Sequence, residues 1–231
     1  AQVVQGTLAK IPEVEPGLIE DFVLGCAFPE AEQGMNLGRI VALRAGLPFT
    51  TAAQTVNRFC SSGLQALAIA ANSIRTGEAE VVLVGGVESM SMIPMGGYRL
   101  LPNPYLIENY PETYLAMGLT AERVAAKYGI SREMQDEFAA ASHHKATKAQ
   151  VEGKFDEEII PVLATDVVEE DEQIRSESFL FRRDEGIRLG VTIEGLRKLK
   201  PVFQKDGTVT AGNASQMSDG AAIVLLMSGE M

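Results

Sequence analysis

The sequence predicts an α/β fold, a mostly parallel sheet with helices between its strands and a mixed segment inserted into it. Three observations carry this expectation. Over the first 90 residues, compact apolar runs alternate with stretches of helical spacing, the order that a βαβ layer requires. From residue 91 to 211 that alternation gives way to a mixture with no sustained period. Near the end, Ala221–Met227 restores a short apolar run of sheet character.

Taken in order, Ala1–Lys10 reads as the middle of a helix, and Pro16 opens a short helical stretch. Asp21–Gly25 is a compact apolar strand. Asn36–Ala45 has helical spacing and stops at Gly46-Leu47-Pro48. Ala52–Asn57 reads as a strand, Ser61–Thr76 as a helix, and Glu80–Gly86 as a buried strand. Residues 90–115 are rich in Met, Pro, Gly and Tyr. Thr120–Tyr128 and Ser131–Glu152 are helical, with Ser131 placed to cap the second. The domain reading follows: residues 1–90 and 212–231 form an incomplete core, and 91–211 an inserted domain. The abrupt start at Ala1 and the end only four residues after a strand lead us to expect a chain cut at both ends.

Composition excludes several classes. With 231 residues, 46% of them apolar and 22% charged, the chain can bury a sizeable core and is not of disordered type. No apolar run approaches the ~20 residues of a membrane helix, and no signal peptide opens the sequence. A net charge of −11 argues against nonspecific nucleic-acid binding. That charge is uneven: residues 152–178 hold ten acidic and two basic side chains. Residues 182–205 hold Arg182, Arg183, Arg188, Arg197, Lys198, Lys200 and Lys205 against three acids. Such runs are either solvated faces or, for the basic one, a patch for a phosphate-bearing ligand. Two cysteines, Cys26 and Cys60, make no disulfide framework or metal cluster, and a reducing compartment is expected.

Cys60 carries the chemistry. A strand ends at Val56-Asn57, the chain turns through Arg58-Phe59, and Cys60 stands where a helix begins. That helix carries Leu64, Ala66, Leu67, Ala68, Ile69, Ala70, Ala71 and Ile74, apolar on nearly every face, so the sequence places it and Cys60 in the interior. A helix N-terminus favours the thiolate of a cysteine, and its unpaired N–H groups can stabilise an oxyanion. Strand, sharp turn, nucleophile and helix are the parts of a nucleophile elbow. Gly63 removes a side chain where a substrate would approach. Read only from position, Cys60 is either that nucleophile or an inert packed thiol. Cys26, at a strand end with no helix behind it, reads as packing. A nucleophile needs a base, and the only histidines, His143 and His144, lie on a solvated helix face.

Val56-Asn57-Arg58-Phe59-Cys60-Ser61-Ser62-Gly63-Leu64-Gln65-Ala66-Leu67 resembles the nucleophile signature of the thiolases. Four further segments resemble theirs in the family order: Gly85–Met92, Met117–Glu122, Ser131–Asp136 and Gly207–Ala222. Arg58–Ser62 and Asp184–Arg188 are closer to degradative 3-ketoacyl-CoA thiolases than to biosynthetic acetoacetyl-CoA thiolases. The resemblance implies half of a duplicated α/β/α/β/α sandwich with a loop domain that holds coenzyme A. Cys60 matches the acyl-accepting cysteine, and Met117, Arg188 and Ser215 match coenzyme A contacts. Ala116 departs from relatives that carry histidine there, which puts one such contact in doubt. The implied reaction is thiolysis of a 3-ketoacyl-CoA in β-oxidation through an acyl-cysteine. Coenzyme A is a substrate, and no bound cofactor or metal is expected. The family's activating histidine, second cysteine and oxyanion-hole glycines belong to a C-terminal half that matches nothing here, and the first core strand is missing too. The resemblance further implies a homodimer or homotetramer paired through a strand like Glu80–Gly86, and a cytoplasmic location unless an upstream peptide directs the protein to peroxisome or mitochondrion. The alternatives are a biosynthetic thiolase, a decarboxylating condensing enzyme (disfavoured by the insertion at 91–211) and a non-catalytic acyl-CoA-binding protein.

Overall fold

The computed structural model describes residues 1–170 and 173–230, which form two compact units. The first comprises residues 1–99, 160–182 and 218–231, and the second residues 100–159 and 183–217. Asp171 and Glu172 of the acidic run, and Met231, lie outside the described residues.

The first unit is built on a four-stranded sheet of order β2-β1-β3-β6. Strands β1 (Asp21–Gly25), β2 (Ala52–Val56) and β3 (Val81–Ser89) run parallel, and β6 (Asp219–Met227) is antiparallel to β3. Alternate residues of β1 and β3 are buried on opposite faces. Phe22, Leu24, Val81 and Leu83 pack with α1 (Gln2–Ala9) and α2 (Leu37–Ala45) on one side. Val23, Val82 and Val84 pack with Ala66 and Ala70 of α3 (Ser62–Arg75) on the other. Burial on both faces is why these strands read as continuous apolar runs. The chain steps from β1 out to β2 through α2, then back past β1 to β3 through α3. Reversing direction while keeping right-handed crossovers requires the two helices to lie on opposite faces, as they do.

Local signals place the helix ends. The Asn36 side chain accepts the N–H of Arg39 to start α2, and Gly46, at φ +90°, ends it. A hairpin of β4 (Val162–Glu170) and β5 (Gln173–Phe181) completes the unit, and the Gln2 side chain on α1 both donates to and accepts from the backbone of Leu163. The sequence shows charge runs at this hairpin and no strand pattern. Thr165, Asp166, Glu177 and Ser178 are exposed, so no buried face imposes an alternation to read.

The strand expected to pair across a dimer is not free to do so. β3 has β1 along one edge and β6 along the other, so both of its rows of backbone groups are used. The edge strands of this sheet are β2 and β6.

The second unit is largely helical: α4 (Pro104–Asn109), α5 (Met117–Tyr128), α6 (Arg132–Val151) and α7 (Ile193–Arg197). Ser131 caps α6 by accepting the N–H of Met134. Buried polar groups fasten its irregular segments. Asp136, fully buried, pairs with Arg132 at 2.9 Å and accepts from Asn213 at 3.0 Å, while Arg132 also donates to the carbonyl oxygens of Leu196 and Leu199. The Glu122 carboxylate receives the N–H groups of Thr208 and Val209 and the Thr208 hydroxyl. Burial works to raise the Glu122 carboxyl, but these donors outweigh it and hold the group below its ordinary value. No helix is long and apolar enough to cross a membrane, and no cluster of three potential metal-ligating side chains occurs, among the described residues.

Candidate active site

Cys60 sits in the first unit at the carboxyl end of the parallel strands, where open α/β sheets place their ligand sites. The turn carrying it is strained and tied. Phe59 has φ +47°, a left-handed conformation that a bulky aromatic residue rarely adopts. Three side chains hold it there. Asn57 Oδ1 accepts the Phe59 N–H at 2.8 Å, and Ser61 Oγ donates to the Arg58 carbonyl at 2.9 Å. Ser62, itself buried, accepts the Arg58 N–H at 2.9 Å and donates to the Phe59 carbonyl. Sharp turn, strained residue and a thiol at a helix head are the geometry of an elbow.

The predicted burial of Cys60 is corrected: its side chain is exposed. The sheet covers only one face of α3, through Ala66 and Ala70, and leaves Ser61, Leu64, Ala68 and Asn72 exposed on the other, Leu64 by 71%. An all-round apolar composition required a second cover, and among the described residues of this unit α3 has none. Two backbone donors follow the exposed thiol at the head of α3, because the N–H groups of Gly63 and Leu64 find no acceptor among the described residues. A Cβ built on Gly63 would meet nothing within 4 Å, so the backbone there faces open space. Gly25 does the opposite. Its Cβ would lie 2.6 Å from the Gly63 nitrogen, so only glycine lets β1 abut the first turn of α3.

Cys26 is buried, as its strand-end position implied. Its thiol is pushed up to about 11, by burial first and then by the nearby Glu88 carboxylate. Glu88, which the sequence showed only as one letter of a motif, accepts the N–H groups of Ala27 and Phe28 and the side-chain amide of Gln33.

The other expected site residues lie in the second unit. Met117 opens α5 and is 60% exposed. Arg188 is exposed in the irregular segment between β5 and α7, and Ser215 is exposed with its hydroxyl on the Gln216 carbonyl. No hydrogen bond or ion pair joins these three among the described residues. Exposed Arg183, Arg188, Arg197, Lys198, Lys200 and Lys205 likewise form no ion pair among the described residues, leaving a run of cations available to an anionic ligand. His143 and His144 lie on α6 in this second unit.

Comparison with known proteins fits this arrangement. The family described as "Thiolase, N-terminal domain" matches residues 1–230. A protein named 3-ketoacyl-CoA thiolase from Bacillus subtilis (strain 168) is 53% identical over 215 residues, covering 93% of this chain and 55% of its own length. One of the same name from Vibrio vulnificus (strain YJ016) is 45% identical over all 231 residues, 58% of its own length. Among solved structures, the Bacillus anthracis acetyl-CoA acetyltransferase superposes with a TM-score of 0.81 at 37% identity, over 99% of this chain and 59% of that one. The chain therefore spans little more than half the length of the relatives it matches.

Proposed function

This chain belongs to the thiolase family, and on that premise we propose that it supplies the nucleophile and coenzyme A-binding parts of a degradative 3-ketoacyl-CoA thiolase. The observation that carries the proposal is the exposed Cys60 on its strained, side-chain-tied turn at the head of α3. The names of the 53% and 45% identical relatives favour the degradative reaction over the biosynthetic one.

In this reading the Cys60 thiolate attacks the 3-keto carbon and a C–S bond forms. The C2–C3 bond then breaks, its electron pair passes to C2, and protonation there releases acetyl-CoA. The acyl group remains on Cys60 as a thioester. The sulfur of incoming coenzyme A attacks that carbonyl, takes the acyl group and returns the thiolate. The donors at the head of α3 face developing negative charge near Cys60, and open space at Gly63 admits the substrate. Met117, Arg188 and Ser215 would contact coenzyme A, with the cations around Arg188 meeting its phosphates. The proposal extends to a role in fatty-acid β-oxidation, a cytoplasmic setting of bacterial type and a homodimer or homotetramer.

Incubation with acetyl-CoA or a 3-ketoacyl-CoA should leave an acyl adduct on Cys60, read by peptide mass spectrometry and lost in Cys60→Ala. Failure to acylate Cys60 removes the enzyme reading and leaves acyl-CoA binding. No hydrogen bond joins the Cys60 thiol to a base among the described residues, so this chain alone should show little or no thiolysis; turnover at the rate of a full-length relative would overturn that part.

A further inference from the structure

We propose that Glu88 is a positioning residue for Cys60, acting through the Ala27–Phe28 backbone and the side chain of Asn57. The proposal rests on Cys60 being the nucleophile described above.

Glu88 lies near the end of β3, and its carboxylate fastens the loop that follows β1. Oε2 accepts the Ala27 N–H at 2.7 Å, and Oε1 accepts the Gln33 amide at 2.8 Å and the Phe28 N–H at 3.4 Å. The Cys26 sulfur lies 3.7 Å from the same oxygen. Gln33, 4% exposed, closes the circuit by donating to the Phe28 carbonyl and accepting the Ser89 N–H. The loop so held presents the Ala27 carbonyl to Asn57 Nδ2 at 2.9 Å. The other end of that side chain, Oδ1, holds the Phe59 N–H. The Phe28 and Phe59 rings add a second tie, with centroids 6.1 Å apart. The residue just before the nucleophile is thus anchored, through one side chain and one ring pair, to a loop set by a carboxylate two strands away.

The chemistry of Glu88 fits this role. Its hydrogen-bond partners are all donors, so an acceptor-only group satisfies them together, whereas an amide would turn a donor toward a donor. No basic side chain forms an ion pair with Glu88 among the described residues. A partly buried charge held by neutral donors costs desolvation that a neutral acceptor would avoid. The return is geometric. A left-handed Phe59 persists only where its surroundings over-determine it, and this relay supplies part of that determination.

The test uses iodoacetamide alkylation of Cys60, followed by peptide mapping across neutral to mildly alkaline pH, in the parent chain, Glu88→Gln, Asn57→Leu and the double variant. Cys26 in the same digest reports loosening of the loop, and thermal melting reports global stability. We expect each single variant to slow Cys60 labelling by more than about twofold, because a displaced turn moves the thiol from the helix head that favours its thiolate. Because Asn57 carries one of the two ties from the Glu88-held loop, adding Glu88→Gln to Asn57→Leu should cost less than it does alone, the remainder passing through the Phe28–Phe59 pair. Labelling of Cys60 within about twofold of the parent while the melting temperature falls, or effects that multiply in the double variant, would overturn the proposal. Glu88→Asp, which keeps the charge and shortens its reach, takes the place of Glu88→Gln should that variant not fold. Acylation of the unsubstituted chain is scored separately. Its absence sinks the reading of Cys60 as the nucleophile, whereas an unmoved Cys60 labelling rate sinks only the relay.

Discussion

Gly25→Ala perturbs the proposed nucleophile without touching it. The added methyl would sit 2.6 Å from the Gly63 nitrogen, 2.6 Å from the Ser62 carbonyl carbon and 2.8 Å from its oxygen. Ordinary contact begins near 3.5 Å, so the first turn of α3 must retreat by roughly 1 Å or the strand must bend. These neighbours are backbone atoms, and no side chain can swing aside to make room. Overpacking of this kind costs about 1–3 kcal/mol, which for a chain of this size lowers the melting temperature by roughly 2–12 °C. A retreat of that size also moves Cys60 relative to its turn, and displacement by about 1 Å can cost a reacting group on the order of 100-fold. Differential scanning fluorimetry and the rate of Cys60 acylation measure the two effects. Gly63→Ala is the control from the same contact. Its own Cβ would meet nothing and its φ is not left-handed, so stability should hold or rise by up to about 1 kcal/mol. On the proposal that substrate is admitted over Gly63, acylation should nevertheless fall, because the methyl fills that space. If Gly25→Ala melts and acylates like the parent, the close packing of β1 against the head of α3 does not position Cys60.

Other outcomes follow from the same contacts. Arg132→Met leaves the fully buried Asp136 carboxylate without its cation, and urea unfolding should report a loss of about 3–5 kcal/mol. The Glu122 carboxyl is held below its ordinary value in the folded state, so its contribution is fully present above the unfolded carboxylate range near pH ~4.3 and is lost as pH falls through the folded value. Glu122→Gln should flatten that acid limb of the stability profile while lowering stability at neutral pH. With its thiol pushed up to about 11, Cys26 should resist alkylation at neutral pH until the chain unfolds, whereas exposed Cys60 labels in the native state. Equal labelling of the two native thiols would contradict the burial of Cys26.

The sequence alone determined the features that neighbouring residues decide among themselves. Asn36 and Gly46 bracket α2, Ser131 caps α6, and the apolar runs at Asp21–Gly25 and Val81–Val84 are strands, because capping, left-handed glycine and two-faced burial leave local marks. The turn before Cys60 was legible for the same reason, since strand, sharp bend and helix follow one another within a few residues. Tertiary structure decided what depends on partners far along the chain. It put β3 between β1 and β6 and so removed the strand expected at a dimer edge. It covered one face of α3 rather than two, which brought Cys60 to the surface. It also joined Glu88, Gln33, Ala27 and Asn57, separated by up to 61 residues, into one hydrogen-bonded support for the turn before Cys60. No local spacing encodes such a circuit, because each of its bonds exists only after the sheet has brought the ends of β1, β2 and β3 side by side.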